Sequence, residues 1–178
     1  SDEQSDSDSS DVDNDLELSA EYLSKISGAR ILVVDDNLIN LEVAKGLLSQ
    51  LPVEITLAMD GQEALDILSA SIESGQTFHC ILMDCQMPIL NGYDTSCKIR
   101  QGILGEQYSG IPIIAMTANA MLGERENCLA AGMNDYTNKP INVELLLAKL
   151  IRWTLTVYHA PVHLRQLVEL NISEAESQ

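Results

Sequence analysis

The sequence predicts an α/β fold, a doubly wound parallel sheet of five strands with five helices. Three observations predict it. Short apolar runs of strand type alternate with stretches of helical periodicity from about residue 29 to residue 155. Capping and turn residues separate them. Several of the strands run directly into residues that carry charge or a hydroxyl. Alternation of this kind places helices on both faces of a parallel sheet.

"RILVV" is a buried strand, and "LINLEVAKGLLSQL" follows it with apolar residues at Leu38, Leu41, Ala44, Leu47, Leu48 and Leu51, a helical spacing. "VEITLA" is the second strand. Asp60 and Glu63 form a capping-box pattern that opens the helix "GQEALDILSASI". "CILMD" is the third strand, and "YDTSCKIR" after Gly92 reads as a short helix. "GILGEQYSG" reads as a glycine-rich loop. "IPIIAMT" is the fourth strand, with Pro112 near its start, where a missing N–H is tolerated. "AMLGERENCLAAG" is a helix closed by Gly132. "NDYTN" is a short fifth strand, and Asn142 caps a last helix, "VELLLAKLIRW".

The flanks differ. Ser1 to Glu21 holds nine acidic residues and no basic one, with many serines, so it cannot bury enough surface to fold. Three parts are therefore expected. Residues 1–28 form an acidic linker, disordered at its start; residues 29–155 form one domain; residues 156–178 form a tail or the start of another linker. The first residue is serine, which suggests a fragment or a processed product. The formal net charge of −17 argues against nucleic acid and against anionic membrane surfaces. No apolar run approaches a membrane span and no signal peptide is visible. Cys80, Cys85, Cys97 and Cys128 include no CxxC pair, so free thiols are expected. His159 and His163 stand four apart, a weak cue for metal with no further ligand beside it.

In open α/β sheets the ligand site lies beyond the carboxyl ends of the strands. Asp35 and Asp36 end the first strand, Asp84 the third and Thr117 the fourth, and Lys139 follows the fifth. Alone, each has an ordinary reading: a solvated strand end, an N-cap, a surface lysine. Five converging on one edge is much harder to ascribe to chance. Three crowded carboxylates repel and raise one another's pKa. A Mg²⁺ ion removes that conflict, because it takes oxygen ligands and suits a few carboxylates plus a phosphate. Cation, ammonium and hydroxyl together would hold the oxygens of a phosphoryl group, and one carboxylate can act as nucleophile to give an acyl phosphate.

"VVDDN", "MDCQMPILNGYD", "IPIIAMTANA" and "DYTNKP" resemble the receiver domain of two-component response regulators, over about Ala29 to Trp153. "MDCQMP" and "TANA" resemble in particular the receivers of hybrid sensor histidine kinases. The resemblance implies a flavodoxin-like sheet of strand order 2-1-3-4-5. It implies that Asp84 is the phosphoacceptor and that Mg²⁺ is held by Asp36, Asp84 and the Gln86 backbone carbonyl, with Asp35 acting largely through a water. Lys139 would pair with Asp84 and then with the phosphoryl group. Thr117 and Tyr136 would switch on phosphorylation, although Tyr136 also reads as ordinary core. Met83, Met87 and Met116 read as packing residues. Gln86 and Asn119 would tune the phosphoryl lifetime, and Lys139–Pro140 would be cis. Asn91 stands where an aspartate is common in the family, and the loop from Gly102 to Gly110 is somewhat long.

No kinase ATP-binding motif and no phosphodonor-histidine helix is visible, so the chain reads as a recipient of phosphoryl groups. The implied partners are a histidine kinase domain and a histidine phosphotransfer domain. An isolated monomeric domain is expected, cytoplasmic and without direct membrane contact, or tethered to a membrane sensor through further N-terminal regions. Two alternatives stand beside this: a stand-alone response regulator, and a Mg²⁺-dependent phosphatase of haloacid-dehalogenase type. The phosphatase wants Asp-x-Asp after its first strand, where this chain has Asp-Asp, and there is little room for a substrate cap.

Overall fold

The computed structural model describes residues 20–21, 23–118 and 122–157 of the chain. Asn119, His159, His163, most of the acidic segment and nearly all of the tail lie outside the described residues.

Five strands form one parallel sheet: β1 (Arg30–Val34), β2 (Glu54–Ala58), β3 (Cys80–Asp84), β4 (Ile113–Thr117) and β5 (Asp135–Asn138). Their order is β2-β1-β3-β4-β5, as expected, with all four pairings parallel. The order follows from burial. β3 and β4 are buried at every position and lie inside the sheet, whereas β2 and β5 are only partly buried and lie at its edges.

The helices are α1 (Leu38–Leu48), α2 (Gly61–Ser74), α3 (Gly92–Arg100), α4 (Glu106–Ser109), α5 (Leu122–Ala130) and α6 (Val143–Val157). Residues 20–21 and 23–26 are helical as well, which gives seven helical segments among the described residues where the sequence predicts five. One addition, α4, falls inside the expected loop. Its Tyr108 is buried, and the hydroxyl accepts a bond from the Phe78 N–H at 2.8 Å and pairs with Ser71. A single buried aromatic therefore ties this stretch to α2 and to the segment that leads into β3. The other addition enlarges the packed unit. Ile26 is buried in the core, and the Gly28 N–H donates to the Pro52 carbonyl at 2.8 Å. The fold thus takes in residues that composition leaves in the linker. At the far end α6 runs to Val157, past the expected boundary at residue 155.

The two faces of the sheet sort by strand alternation. Ile31, Val33, Cys80, Leu82, Ile114 and Met116 point to one side, where Leu41, Ala44 and Leu48 of α1 and Leu146, Leu150 and Leu155 of α6 cover them. Leu32, Val34, Ile81, Met83, Ile113 and Ala115 point to the other, under α2, α3 and α5. Leu38 departs from the predicted stripe. It is 58% exposed at the first position of α1.

The caps hold as read. Asp60 accepts from the Glu63 N–H at 2.8 Å, and the Glu63 carboxylate reaches back to the Met59 N–H at 3.2 Å. Asn142 accepts from the Leu145 N–H at 3.1 Å. Gly132 follows α5 in the left-handed region, φ 91°. Asn91, the departure from the family pattern, caps α3 by accepting from the Asp94 N–H at 2.8 Å. Gly92 brings α3 against the back of the third strand's end. A Cβ at this position would overlap the Asp84 carbonyl oxygen, so only glycine fits.

Candidate functional site

The parallel register brings the exits of β1, β3, β4 and β5 to one edge, with Asp84 opposite Met116 and Thr117 opposite Asn138. Asp35 lies just past β1 and is 1% exposed. One of its carboxylate oxygens accepts from the Asn37 N–H at 2.9 Å and from the Asn40 amide at 3.5 Å. Asn37 is also the N-cap of α1, accepting from the Ile39 N–H at 2.9 Å. The strand-to-helix turn therefore fixes both a helix and a carboxylate. Asp36 is exposed. Asp84 ends β3 and is 5% exposed, and it accepts from the Gln86 N–H at 3.3 Å.

Asp35, Asp36 and Asp84 each present an oxygen within 4.8 Å of the others. Facing them is the Lys139 ammonium, 3.3 Å from Asp35 and 3.5 Å from Asp84. Lys139 thus does not pair with Asp84 alone. It is shared, and slightly nearer Asp35. Its backbone is anchored by an N–H bond to the Thr117 carbonyl at 2.8 Å, and the Lys139–Pro140 bond is cis, as the resemblance implies.

One ammonium does not neutralise three carboxylates. Burial, reinforced by the charge of Asp35 and more weakly by Asp36, pushes the Asp84 carboxyl up to about 6, with Lys139 and the Gln86 N–H pulling the other way. These are hard oxygen donors with surplus negative charge, partly open to solvent through Asp36. The donor set fits a Mg²⁺ ion.

Thr117 ends β4 and is 3% exposed. Gln86 is exposed on the loop after β3. Tyr136 is half-buried in β5, and the Lys149 ammonium lies 4.9 Å from its ring centre. Lys149 was not legible as more than a helix residue. It is buried, donates to the Tyr136 carbonyl at 2.6 Å and pairs with Asp135 at 3.2 Å. The available signal is its place three residues after Leu146 and one before Leu150, on the buried stripe of α6. Asn37 was also missed as a site residue, although an asparagine directly after two aspartates and before a helix is an N-cap signal.

Comparison with known proteins gives the same picture. Over 123 residues the chain is 44% identical to hybrid signal transduction histidine kinase I of Dictyostelium discoideum, which covers 69% of this chain and 7% of that protein. It is 33% identical over 143 residues to the sensor protein GacS of Pseudomonas syringae pv. syringae, covering 80% of this chain and 15% of that one. The chain thus spans a small fraction of the curated relatives it matches. Among solved structures, the receiver domain of sensor histidine kinase PA1611 from Pseudomonas aeruginosa, with a magnesium ion in its active-site cleft, superposes with a TM-score of 0.63 at 42% identity, covering 72% of this chain and 98% of that one. The receiver domain of Ssk1 from Saccharomyces cerevisiae, solved with the histidine phosphotransfer protein Ypd1, gives a TM-score of 0.62 at 29% identity, covering 74% and 92%. The model of the response regulator receiver domain matches residues 31–151. With its sheet order, its carboxylate cluster and this match, the chain belongs to the response regulator receiver domain family.

Proposed function

We propose that this chain accepts a phosphoryl group from a phosphohistidine onto Asp84 and relays it within a two-component phosphorelay. The observation that carries the reading is the buried Asp84 carboxylate at the end of β3, set between two further aspartates and a shared lysine. At pH 7 a carboxyl raised to about 6 is mostly ionised and more basic than an ordinary aspartate, which suits a nucleophile. An Asp84 oxygen attacks phosphorus, the P–O bond forms and the P–N bond to the donor imidazole breaks. The imidazole keeps that electron pair and takes up a proton. Lys139 already touches Asp84 and can follow the charge onto the phosphoryl oxygens. Asp36, Asp84 and the Gln86 carbonyl would hold Mg²⁺, with Asp35 acting through a water. Once bound, the ion offsets the charge that would otherwise repel the incoming phosphoryl group. Gln86 and Asn119 would set how long the acyl phosphate lasts. Acetyl phosphate with Mg²⁺ should add one phosphoryl group by intact mass to the wild type and none to Asp84→Asn; an equal gain in the variant would overturn the assignment.

The partner reading rests on the rim of the site. Leu38, Ile39, Met59 and Ile89 are exposed apolar residues on the loops and first helical turn at this edge. Ile89 also holds a left-handed backbone, φ 69°, which a β-branched residue rarely adopts. An apolar rim around a reactive carboxylate suits a helical phosphohistidine domain. The magnesium-bound and phosphotransfer-bound neighbours support the same ligand and partner classes, and membership of a hybrid kinase is the favoured parent context. Ile39→Glu should slow transfer from a phosphorylated histidine phosphotransfer domain by roughly tenfold, about 1.4 kcal/mol, while leaving labelling by acetyl phosphate unchanged. Equal loss with both donors would mean that the rim does not serve docking.

Phosphorylation would draw Thr117 toward the phosphoryl oxygens and let Tyr136 turn inward, changing β4, α5 and β5. Beryllium fluoride with Mg²⁺ should move amide NMR signals there, and less so in Thr117→Ala. Largest shifts on α1 and α2, or undiminished shifts in the variant, would exclude this route.

A further inference from the structure

A second cluster of ligand-type side chains lies one residue past the phosphoacceptor, on the opposite face of the strand. Cys85 Sγ is 3.8 Å from Cys128 Sγ, and both thiols are free and buried. Glu124 stands four residues before Cys128 on α5, hence on the same helix face. Cys85, Cys128 and Glu124 each offer a ligand atom within 4.8 Å of the others. Glu124 is half-buried as a residue, but its Oε1 atom is buried and has no hydrogen-bond partner among the described residues. A buried carboxylate oxygen is costly to leave unpaired. Next to two thiols, such an oxygen is a position that a metal cation can satisfy.

We propose that Cys85, Cys128 and Glu124 form a site for a thiophilic divalent cation of the Zn²⁺ class, separate from the carboxylate site. A tetrahedral ion with bonds to sulfur of about 2.3 Å holds two sulfurs about 3.8 Å apart, which is the separation present. Two thiolates and a carboxylate select against Mg²⁺ and for Zn²⁺. As the two metal–sulfur bonds form, two thiol protons leave, so the local charge is unchanged and the Asp84 site feels little new field. The effect is mechanical: the ion ties the end of β3 to α5. A Cys85–Cys128 disulfide is the competing outcome, and it would leave the Glu124 oxygen unpartnered.

The test uses the full chain, reduced, with Mg²⁺ saturating, titrated with Zn²⁺ against a chromophoric chelator. One equivalent should bind. Affinity should fall at least roughly tenfold in each of Cys85→Ser, Cys128→Ser and Glu124→Gln, since even outer partners of a metal ligand carry that much, and should persist in Asp36→Ala. Co²⁺ in place of Zn²⁺ should show sulfur-to-metal charge-transfer absorption, and amide exchange in α5 should slow on loading. Should a buried serine variant fail to fold, Glu124→Gln and the cobalt spectrum decide. Undiminished affinity in Cys128→Ser or Glu124→Gln, absence of the cobalt–sulfur band, or thiols that close to a disulfide without taking up metal would overturn the proposal.

Discussion

Asp36→Ala is expected to abolish most Mg²⁺ binding and, with it, phosphorylation of the chain. Asp36 is the exposed member of the carboxylate cluster, whereas Asp35 is already engaged by the Asn37 N–H, the Asn40 amide and Lys139. Without Asp36 the remaining pair of carboxylates faces the shared ammonium, and the surplus charge that favours a divalent ion drops by half. A loss of roughly tenfold or more in affinity, about 1.4 kcal/mol, follows from removing one anionic ligand of so few. Because the side chain is exposed, the fold should survive. Calorimetric titration with Mg²⁺ and the Mg²⁺-induced rise in melting temperature check binding. Intact mass after acetyl phosphate checks the chemistry. Full phosphorylation of Asp36→Ala would show that the cation is not held as described.

Asp84→Asn should stabilise the metal-free protein at pH 7. The Asp84 carboxyl has an ordinary value of 3.8 and is raised to about 6 in the fold. The folded state therefore holds a proton that the unfolded chain has lost between those values. Stability falls as pH rises through that window and stays low above it. Two pKa units correspond to about 3 kcal/mol, a figure that applies because the carboxyl is buried. An amide carries no charge to desolvate, and Lys139 keeps Asp35 as its partner. Urea unfolding with a chelator present should thus show the variant ahead by up to about 3 kcal/mol at pH 7 and level with the wild type near pH 3. Mg²⁺ should narrow the gap, since it binds the wild-type site. A variant less stable than the wild type in chelator, or a gap indifferent to pH, would contradict the burial and repulsion that raise this carboxyl.

The sheet was legible because its physics is local and repetitive. β3 and β4 are unbroken apolar runs, and a strand buried on both faces can hardly look otherwise. Asp35, Asp84 and Thr117 were legible because a polar residue at the end of such a run has only the sheet edge to go to. Helix α4 was not, since one buried tyrosine decides it and glycines at 102, 105 and 110 hide the turn. Ile26 was not, because acidic composition upstream masks a single core residue. The sharing of Lys139 between Asp35 and Asp84 depends on distances of a few tenths of an ångström, which no spacing rule encodes. The pairing of Cys85 with Cys128 joins residues 43 apart through the packing of α5 on β3.

Asp84 itself is expected to become an acyl phosphate when a phosphohistidine is the donor. The most direct measurement incubates the chain with a phosphorylated histidine phosphotransfer domain and Mg²⁺, traps the product with borohydride, and maps it by peptide mass spectrometry. Hydride reduction of an acyl phosphate leaves homoserine in place of aspartate. Homoserine at position 84 alone, absent when Mg²⁺ is chelated, is the predicted result. Homoserine at position 35 or 36, or phosphoryl transfer that leaves position 84 an aspartate, would contradict it.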